Sequence, residues 1–248
     1  RIRRDRWGVA HIQANCTADC YLALGYAMAQ DRLWHLDYRR RLAQGRLAEV
    51  LGPAHIASDR LHRTVGLARA AAAAEMSDEV AMVLNAFSLG INAWMEQAVT
   101  PLPVEFDLLD YAPEPWTPAD TIAVWKWRWW MLTGRLEAIS VSEAARRHLP
   151  PDLMDLFLSV EDGEEPIVPS DEPAGIGGHD TGEGSNNWAV GPGRSTTGGP
   201  ILASDPHNPV WHPSQWYQAQ LTSPDTDTTG PMDAIGAIFV GTPGIYLG

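Results

Sequence analysis

At 248 residues the chain is long enough to bury a sizeable core as one large or two ordinary domains, and 45% hydrophobic residues with 11 Trp exclude general disorder. Its 18 basic and 31 acidic residues give a net charge of −13, which repels phosphate backbones and anionic membrane surfaces and argues against a nucleic-acid partner. No apolar run is long enough for a membrane span: "DTIAVWKWRWWM" is interrupted by Lys126 and Arg128 and reads as a buried helix with snorkelling cations.

The chain opens in mid-pattern at "RIRRDRWGVAHI", with neither an initiator Met nor a signal-peptide pattern, and both ends are read as cut from something longer. Residues Arg6 to Ala14 alternate, with Val9 and Ile12 apolar, and predict a short strand before the turn-like "NCTAD". From Asp19 the residues Leu22, Leu24, Met28, Leu33, Leu36 and Leu42 recur near helical spacing, which predicts a helix running to about Leu51 and the stop Gly52-Pro53. Cys16 and Cys20 are read as small hydrophobes, a local disulfide being the other option, since no second pair completes a metal site. Glu79 to Gln97 is the cleanest amphipathic helix, with Val80, Val83, Leu84, Phe87, Ile91, Trp94 and Met95 on one stripe. A Pro-rich connector, "TPLPVEFDLLDYAPEPWTP", leads to a helix with Thr117 as N-cap and Pro118 at its first position, whose core face is expected to carry Trp125, Trp129 and Met131. A further helix, "SVSEAARRHL", ends before Pro150-Pro151.

The character then changes. The segment from Glu161 holds Asp162, Glu164, Glu165, Asp171, Glu172, Asp180 and Glu183, with no Lys or Arg before Gly184, and has the Pro, Gly and acid content of a spacer. Beyond it the signals are those of strands: "NNWAV", a turn "GPGRSTTGG", then "PILAS", "QWYQAQL" and "AIGAIFV". The turn lacks the Gly-Lys-Ser/Thr ending of a phosphate loop and lies between strands. His207 and His212 are separated by prolines and find no third ligand at a recognisable spacing, which disfavours zinc. A Ser-His-Asp triad stays open on composition, although no Gly-x-Ser-x-Gly elbow is present. What is distinctive is Ser185, placed where an acidic spacer meets a strand that reads as apolar and buried. Gly184-Ser185 is either an ordinary turn or a cleavage junction, and a serine released as a chain terminus carries an amine of pKa roughly 8 that can serve as base for its own hydroxyl.

Two stretches carry a resemblance. "RDRWGVAHI" followed by "ALGYAMAQDRLWHLDYRRRLAQGRLAEVLG" resembles the opening of the α chain of the penicillin acylase family, and "GSNNWAVGPGRSTTGGPILASDPHNP" resembles its spacer junction and β-chain start. The match runs from Arg3 to Gly248 and is weakest in the spacer. It implies an N-terminal-nucleophile amidohydrolase whose precursor cuts itself. Ser185 then matches the nucleophile and Gly184 the residue before the scissile bond. His207 matches a position that is histidine in the acyl-homoserine-lactone and cephalosporin acylase branches and glutamine in penicillin G acylases, and tunes the site without being the principal base. Asn208, Leu247, Met131 and Leu136 match positions lining the acyl pocket. "TPGIYLG" is similar to the segment before the oxyanion hole, whose donors are expected beyond Gly248, so the 248 residues alone are expected to be nearly inactive.

The resemblance further implies an α/β, four-layer αββα sandwich, with residues 1–160 a helical α part, 161–184 a spacer, and 185–248 the first portion of a β chain. No dissolved cofactor is needed. A structural calcium is an option, with Glu143 matching an α-chain ligand of some relatives. The expected partners are a small-molecule acyl amide, of penicillin, cephalosporin or acyl-homoserine lactone type, and the α and β chains of one precursor. The expected location is periplasmic or extracellular. The alternatives are a non-catalytic binding relative that keeps the fold without being cut, and a bile-salt-hydrolase-like enzyme, which Ser185 in place of cysteine argues against.

Overall fold

In the computed structural model, which describes residues 1–97, 101–133, 135–154, 184–208, 212–224 and 230–248, the first part is mostly helical and the last part is mostly strands. Strands β1 (Ile2–Arg4) and β2 (Ala10–Gln13) precede the helices α1 (Thr17–Gln44), α2 (Ala48–Leu51), α3 (Ile56–Val65), α4 (Leu67–Ala72), α5 (Asp78–Gln97), α6 (Val104–Leu108), α7 (Pro118–Thr133) and α8 (Arg135–His148). The strands β3 (Gly184–Val190), β4 (Ile201–His207), β5 (Trp216–Ser223), β6 (Met232–Phe239) and β7 (Ile245–Leu247) follow. The chain divides into two compact units, Arg1–Trp129 with Val210–Gly248, and Trp130–Pro209. The acid-rich stretch from Glu161 to Glu183 lies outside the described residues.

The first unit is built on a five-stranded sheet of order β1-β2-β5-β6-β7. β2 runs parallel to β5, with Ala10 opposite Ala219 and Ile12 opposite Leu221, whereas the other neighbours are antiparallel. Strands from both sides of the acid-rich stretch therefore share one sheet. On β5 the residues Tyr217, Ala219, Leu221 and Ser223 are buried in alternation, the period-2 signature of a strand with one covered face. Helix α1 lies close to this sheet: Cys20 Sγ donates to the Thr222 carbonyl at 3.3 Å, and the Gly241 amide reaches Met28 Sδ at 3.4 Å. Both cysteines are free thiols, Cys20 fully buried as a small hydrophobe.

α1 and α5 cross at two glycines. A Cβ on Gly25 would stand 2.1 Å from the Phe87 carbonyl oxygen, and one on Gly90 would stand 1.9 Å from that of Leu22, so only glycine permits this spacing. The crossing buries Leu24, Met28, Phe87 and Ile91. The long predicted helix is in fact two. Gly45, at φ 67°, adopts the left-handed conformation that ends α1, its amide donating to the Leu42 carbonyl, and α2 begins only at Ala48.

The start of α7 follows its sequence. The Asp120 amide donates to Thr117 Oγ1 at 3.4 Å and Asp120 Oδ2 accepts from the Thr117 amide at 2.8 Å, a reciprocal cap. Its faces do not. Ile122, Ala123, Val124 and Trp127 are buried, while Trp125 is half exposed and Trp129 is 59% exposed, stacked edge to face at 6.0 Å. Arg128 does not snorkel outward: it is 7% exposed, with Trp216 and Phe239 beneath its guanidinium. Those rings lie about 90 and 110 positions further on, so helix periodicity could not reveal them.

A buried acid organises the α1 arginines. Asp37 accepts from Arg40 Nη2, from Arg41 Nε at 2.8 Å and from Tyr111 Oη at 2.7 Å, and Arg41 also meets Glu49 at 3.0 Å. At the surface, Arg46 grips both Glu114 oxygens at 2.7 and 3.0 Å, which pulls the Glu114 carboxyl down to about 2.

Candidate active site

The residues singled out around Gly184-Ser185 form an antiparallel hairpin in the second unit. β3 and β4 pair from Gly184 opposite His207, through Ser185 opposite Pro206, to Val190 opposite Ile201, and a 3₁₀ turn at Pro192–Arg194 follows β3. Because side chains alternate across a strand, this register fixes which groups share a face. His207 lies with Asn186 and Asp205: Asn186 Nδ2 stands 3.1 Å and Asp205 Oδ2 3.0 Å from His207 Nε2. Ser185 lies on the other face, with Pro206 opposite it. The structure thus brings Ser185 and His207 to neighbouring ladder positions but turns their side chains apart. Asn208 follows β4 directly, its amide donating to the Pro206 carbonyl at 2.9 Å.

The strand after Ser185 is not buried as its composition suggested. Ser185 to Ala189 are exposed, Trp188 at 55%, and Leu202 on β4 is 67% exposed. Two strands cannot cover their own faces, and a hairpin without a packing layer leaves its apolar side chains in solvent.

The remaining predicted pocket residues are spread over the chain. Met131 is half-buried near the end of α7, and Leu136 belongs to α8, its side chain being outside the described set. Both fall in the second unit with Ser185, His207 and Asn208. Leu247 is half-buried on β7, opposite Ala237, in the first unit. Glu143, matched to a calcium ligand of some relatives, holds Arg147 at 2.9 Å and Arg146 at 3.2 Å through its two oxygens, and among the described residues no group of three His, Cys, Asp or Glu gathers for a metal.

Sequence reasoning missed a cavity of about 680 Å³ in the first unit, between the start of α5, α7 and the segment leading into β7. Val80, Val83, Ile122, Trp125 and Tyr246 line it, with Lys126 at its edge. Three segments far apart in sequence build it. No local signal marked it: the sequence assigned Val80 and Trp125 to core stripes, and each is 45% exposed in the structure.

A thermostable penicillin G acylase from Alcaligenes faecalis superposes with a TM-score of 0.52 at 27% identity, covering 70% of this chain and 96% of that one. Helix-rich first and strand-rich after, the chain has the α/β fold of the N-terminal-nucleophile hydrolases. Residues 1–248 match the penicillin amidase family throughout, and the chain belongs to that family. It is 36% identical to penicillin acylase 2 proenzyme of Pseudomonas sp. over 98% of its length and 34% of that protein's. It is 30% identical to the acyl-homoserine lactone acylase QuiP of Pseudomonas aeruginosa over 100% of its length and 31% of that protein's. The chain therefore spans about a third of the curated relatives it matches. Among the described residues no helix is long and apolar enough to cross a membrane.

Proposed function

We propose that this chain is part of a self-processing amide hydrolase, in which cleavage between Gly184 and Ser185 frees Ser185 as an N-terminal nucleophile acting on an N-acylated small molecule. The observation that carries the reading is the position of that bond in the hairpin. A cut there removes only the Gly184–His207 pair, the first of the ladder, and leaves every pair from Ser185–Pro206 to Val190–Ile201 in place. The new terminus stays anchored by strand pairing.

The chemistry follows from the residue. In the uncut chain Ser185 Oγ adds to the Gly184 carbonyl carbon, the peptide shifts to an ester, and water hydrolyses it to leave a carboxylate on Gly184 and a free amine on Ser185. Glycine before the bond tolerates the backbone distortion this needs. In the mature protein Oγ attacks the substrate amide carbonyl while its proton passes through water to the α-amine. The tetrahedral adduct collapses, the leaving amine takes that proton, and a second water cleaves the acyl-serine ester to a carboxylic acid and free serine. His207 acts as a positioning residue, because its imidazole lies on the Asn186 and Asp205 face and not beside Ser185 Oγ. The relatives' names support an acyl amide of penicillin or acyl-homoserine lactone type. A location outside the cytoplasm goes with this reading as an expectation, which fractionation of producing cells checks.

The test is made on the polypeptide extended to the relatives' length. Intact-mass analysis is expected to show two chains, the second beginning Ser185-Asn186-Asn187-Trp188, and Ser185→Ala is expected to remain one chain without activity. Cleavage of Ser185→Ala at this bond without added protease would overturn the reading, and an uncut wild type without amidase activity would favour a binding relative. His207→Gln is expected to cut normally and to change kcat and acyl preference by about tenfold, with the pH profile still governed by a group titrating near 8. Complete loss of turnover in processed His207→Gln would assign it the base instead.

A further inference from the structure

The turn between β1 and β2, the middle of α1 and the start of β5 enclose a second cavity in the first unit, of about 570 Å³, within the range of about 300 to 1,000 Å³ usual for small-molecule sites. Three charged groups line it, Arg4, Asp31 and Arg32. Two of them answer each other. Arg4 Nη2 lies 2.7 Å from Asp31 Oδ2, which also accepts from Tyr217 Oη at 2.9 Å. The Arg4 guanidinium donates besides to the Gly8 carbonyl at 3.0 Å and to Gln30 Oε1 at 3.1 Å, so its fork is taken.

Arg32 is placed differently. Half-buried, its side chain makes no hydrogen bond or ion pair among the described residues, and its Nε is buried without an acceptor. α1 departs from helical geometry at this residue, with φ −141° and ψ 21°. With Arg4 and Asp31 cancelling, the charge that the lining leaves over is the single positive charge of Arg32. A concave site with walls of low dielectric strengthens the pull of such a charge on an anion. One charge is balanced by a carboxylate, whereas a phosphate dianion would leave a negative charge over, and the planar carboxylate is also the shape that a guanidinium binds through two parallel hydrogen bonds.

The rest of the wall says what should carry that carboxylate. Trp7, Trp216 and Tyr217 all line the cavity. Trp7 is 76% exposed, with Arg6 over one face of its ring at 4.9 Å. Its turn is fixed by Asp5 Oδ1, which accepts from the Trp7 amide at 2.8 Å and the Val9 amide at 3.0 Å. A large ring held in water on a fixed turn gains by covering a flat apolar partner, and aromatic partners add the attraction of ring on ring.

We propose that this cavity binds a free aromatic carboxylic acid, its carboxylate on Arg32 and its ring against Trp7 and Trp216. Met131, Asn208 and Leu247, matched above to the acyl pocket, are not part of the lining, and the proposal does not depend on Ser185.

The experiment uses the polypeptide extended to the relatives' length and 4-benzoylbenzoate, an aromatic acid that cross-links on illumination. Peptide mapping is expected to find saturable adducts in the peptides holding Trp7, Arg32 or Trp216, displaced by benzoate and not by benzamide. Benzophenone, the same body without the carboxylate, is expected to label them at least about tenfold less, Arg32→Met to cut the labelling at least about tenfold, and Arg32→Lys, which keeps the charge without the fork, to fall between. Ser185→Ala is expected to label as the wild type does, so that failure of the hydrolase reading leaves this result standing. Adducts that Arg32→Met leaves intact overturn the proposal, as does equal labelling by benzophenone. Absence of adducts from these peptides overturns it too, since another part of the longer chain then fills the cavity. Should Arg32→Met not fold, the two probes on the wild type and Arg32→Lys still decide.

Discussion

The two sheets of this molecule are made by similar local sequence and held by different forces. β5 and β6 alternate side chains as β3 and β4 do, but Leu221, Ile238 and Phe239 are buried while Trp188 and Leu202 are exposed. The five-stranded sheet has α1 close by, and α1 is in turn fixed by α5. Among the described residues, the hairpin is held chiefly by its own ladder. The difference teaches that the scaffold draws its stability from packing, whereas the segment proposed to carry the chemistry is specified by register, which sets which side chain faces which way without rigid burial.

Gly90→Ala should break the scaffold side of this comparison most severely. Its new Cβ would meet a backbone carbonyl, so α1 and α5 must separate, and a loss of about 3 kcal/mol or more in urea denaturation is expected. A result within experimental error of wild type would mean that the helix crossing does not limit stability.

Acid should act on the same unit more gently. Folding lowers the Glu114 carboxyl because Arg46 binds it in the folded state, so its contribution is complete above the unfolded carboxylate pKa near 4 and fades as the pH falls toward about 2. Acid unfolding of Glu114→Gln should therefore be shallower than wild type across that window and indistinguishable from it in slope near neutrality.

The smallest effect is expected on the hairpin. Leu202→Gln replaces a largely exposed side chain and should change stability by about 0.5 kcal/mol or less. A loss of several kcal/mol would show that this face is covered in solution.

Most elements were legible in the sequence because their signals are local. The Thr117-Pro118 start of α7, the stripe on α5 and the strands around the "GPGRSTTGG" turn are each set by a few neighbouring residues. What escaped depends on distant partners or on weak pattern. β1 is three residues long with two arginines, and only its pairing with β2 makes it a strand. The buried face of α7 was misread because tryptophan occurs on several of its faces, and the choice of Trp127 and Arg128 over Trp125 and Trp129 is made by Trp216 and Phe239. Gly45 was a helix stop in plain view, overridden by an apolar pattern that continues into α2. As for the candidate site, the resemblance to the penicillin acylase family, and not spacing, picked out Ser185, His207 and Asn208 together. That the first two face apart is a matter of ladder parity, which no motif encodes.

The parallel pairing of β2 with β5 has a kinetic consequence. Ala10 and Ala219 lie opposite one another in the ladder, yet the polypeptide joining them runs through the proposed cut. Before the cut, bringing these strands together is closure of a long loop in a single molecule, at a rate independent of protein concentration. After it, the same contact joins two separate molecules. Cleaved material that has been unfolded should regain structure at a rate proportional to its concentration, and uncleaved Ser185→Ala should not. If the chain is cut as proposed, the covalent connection speeds assembly of the sheet, and the pairing of β2 with β5 then holds the two pieces without it.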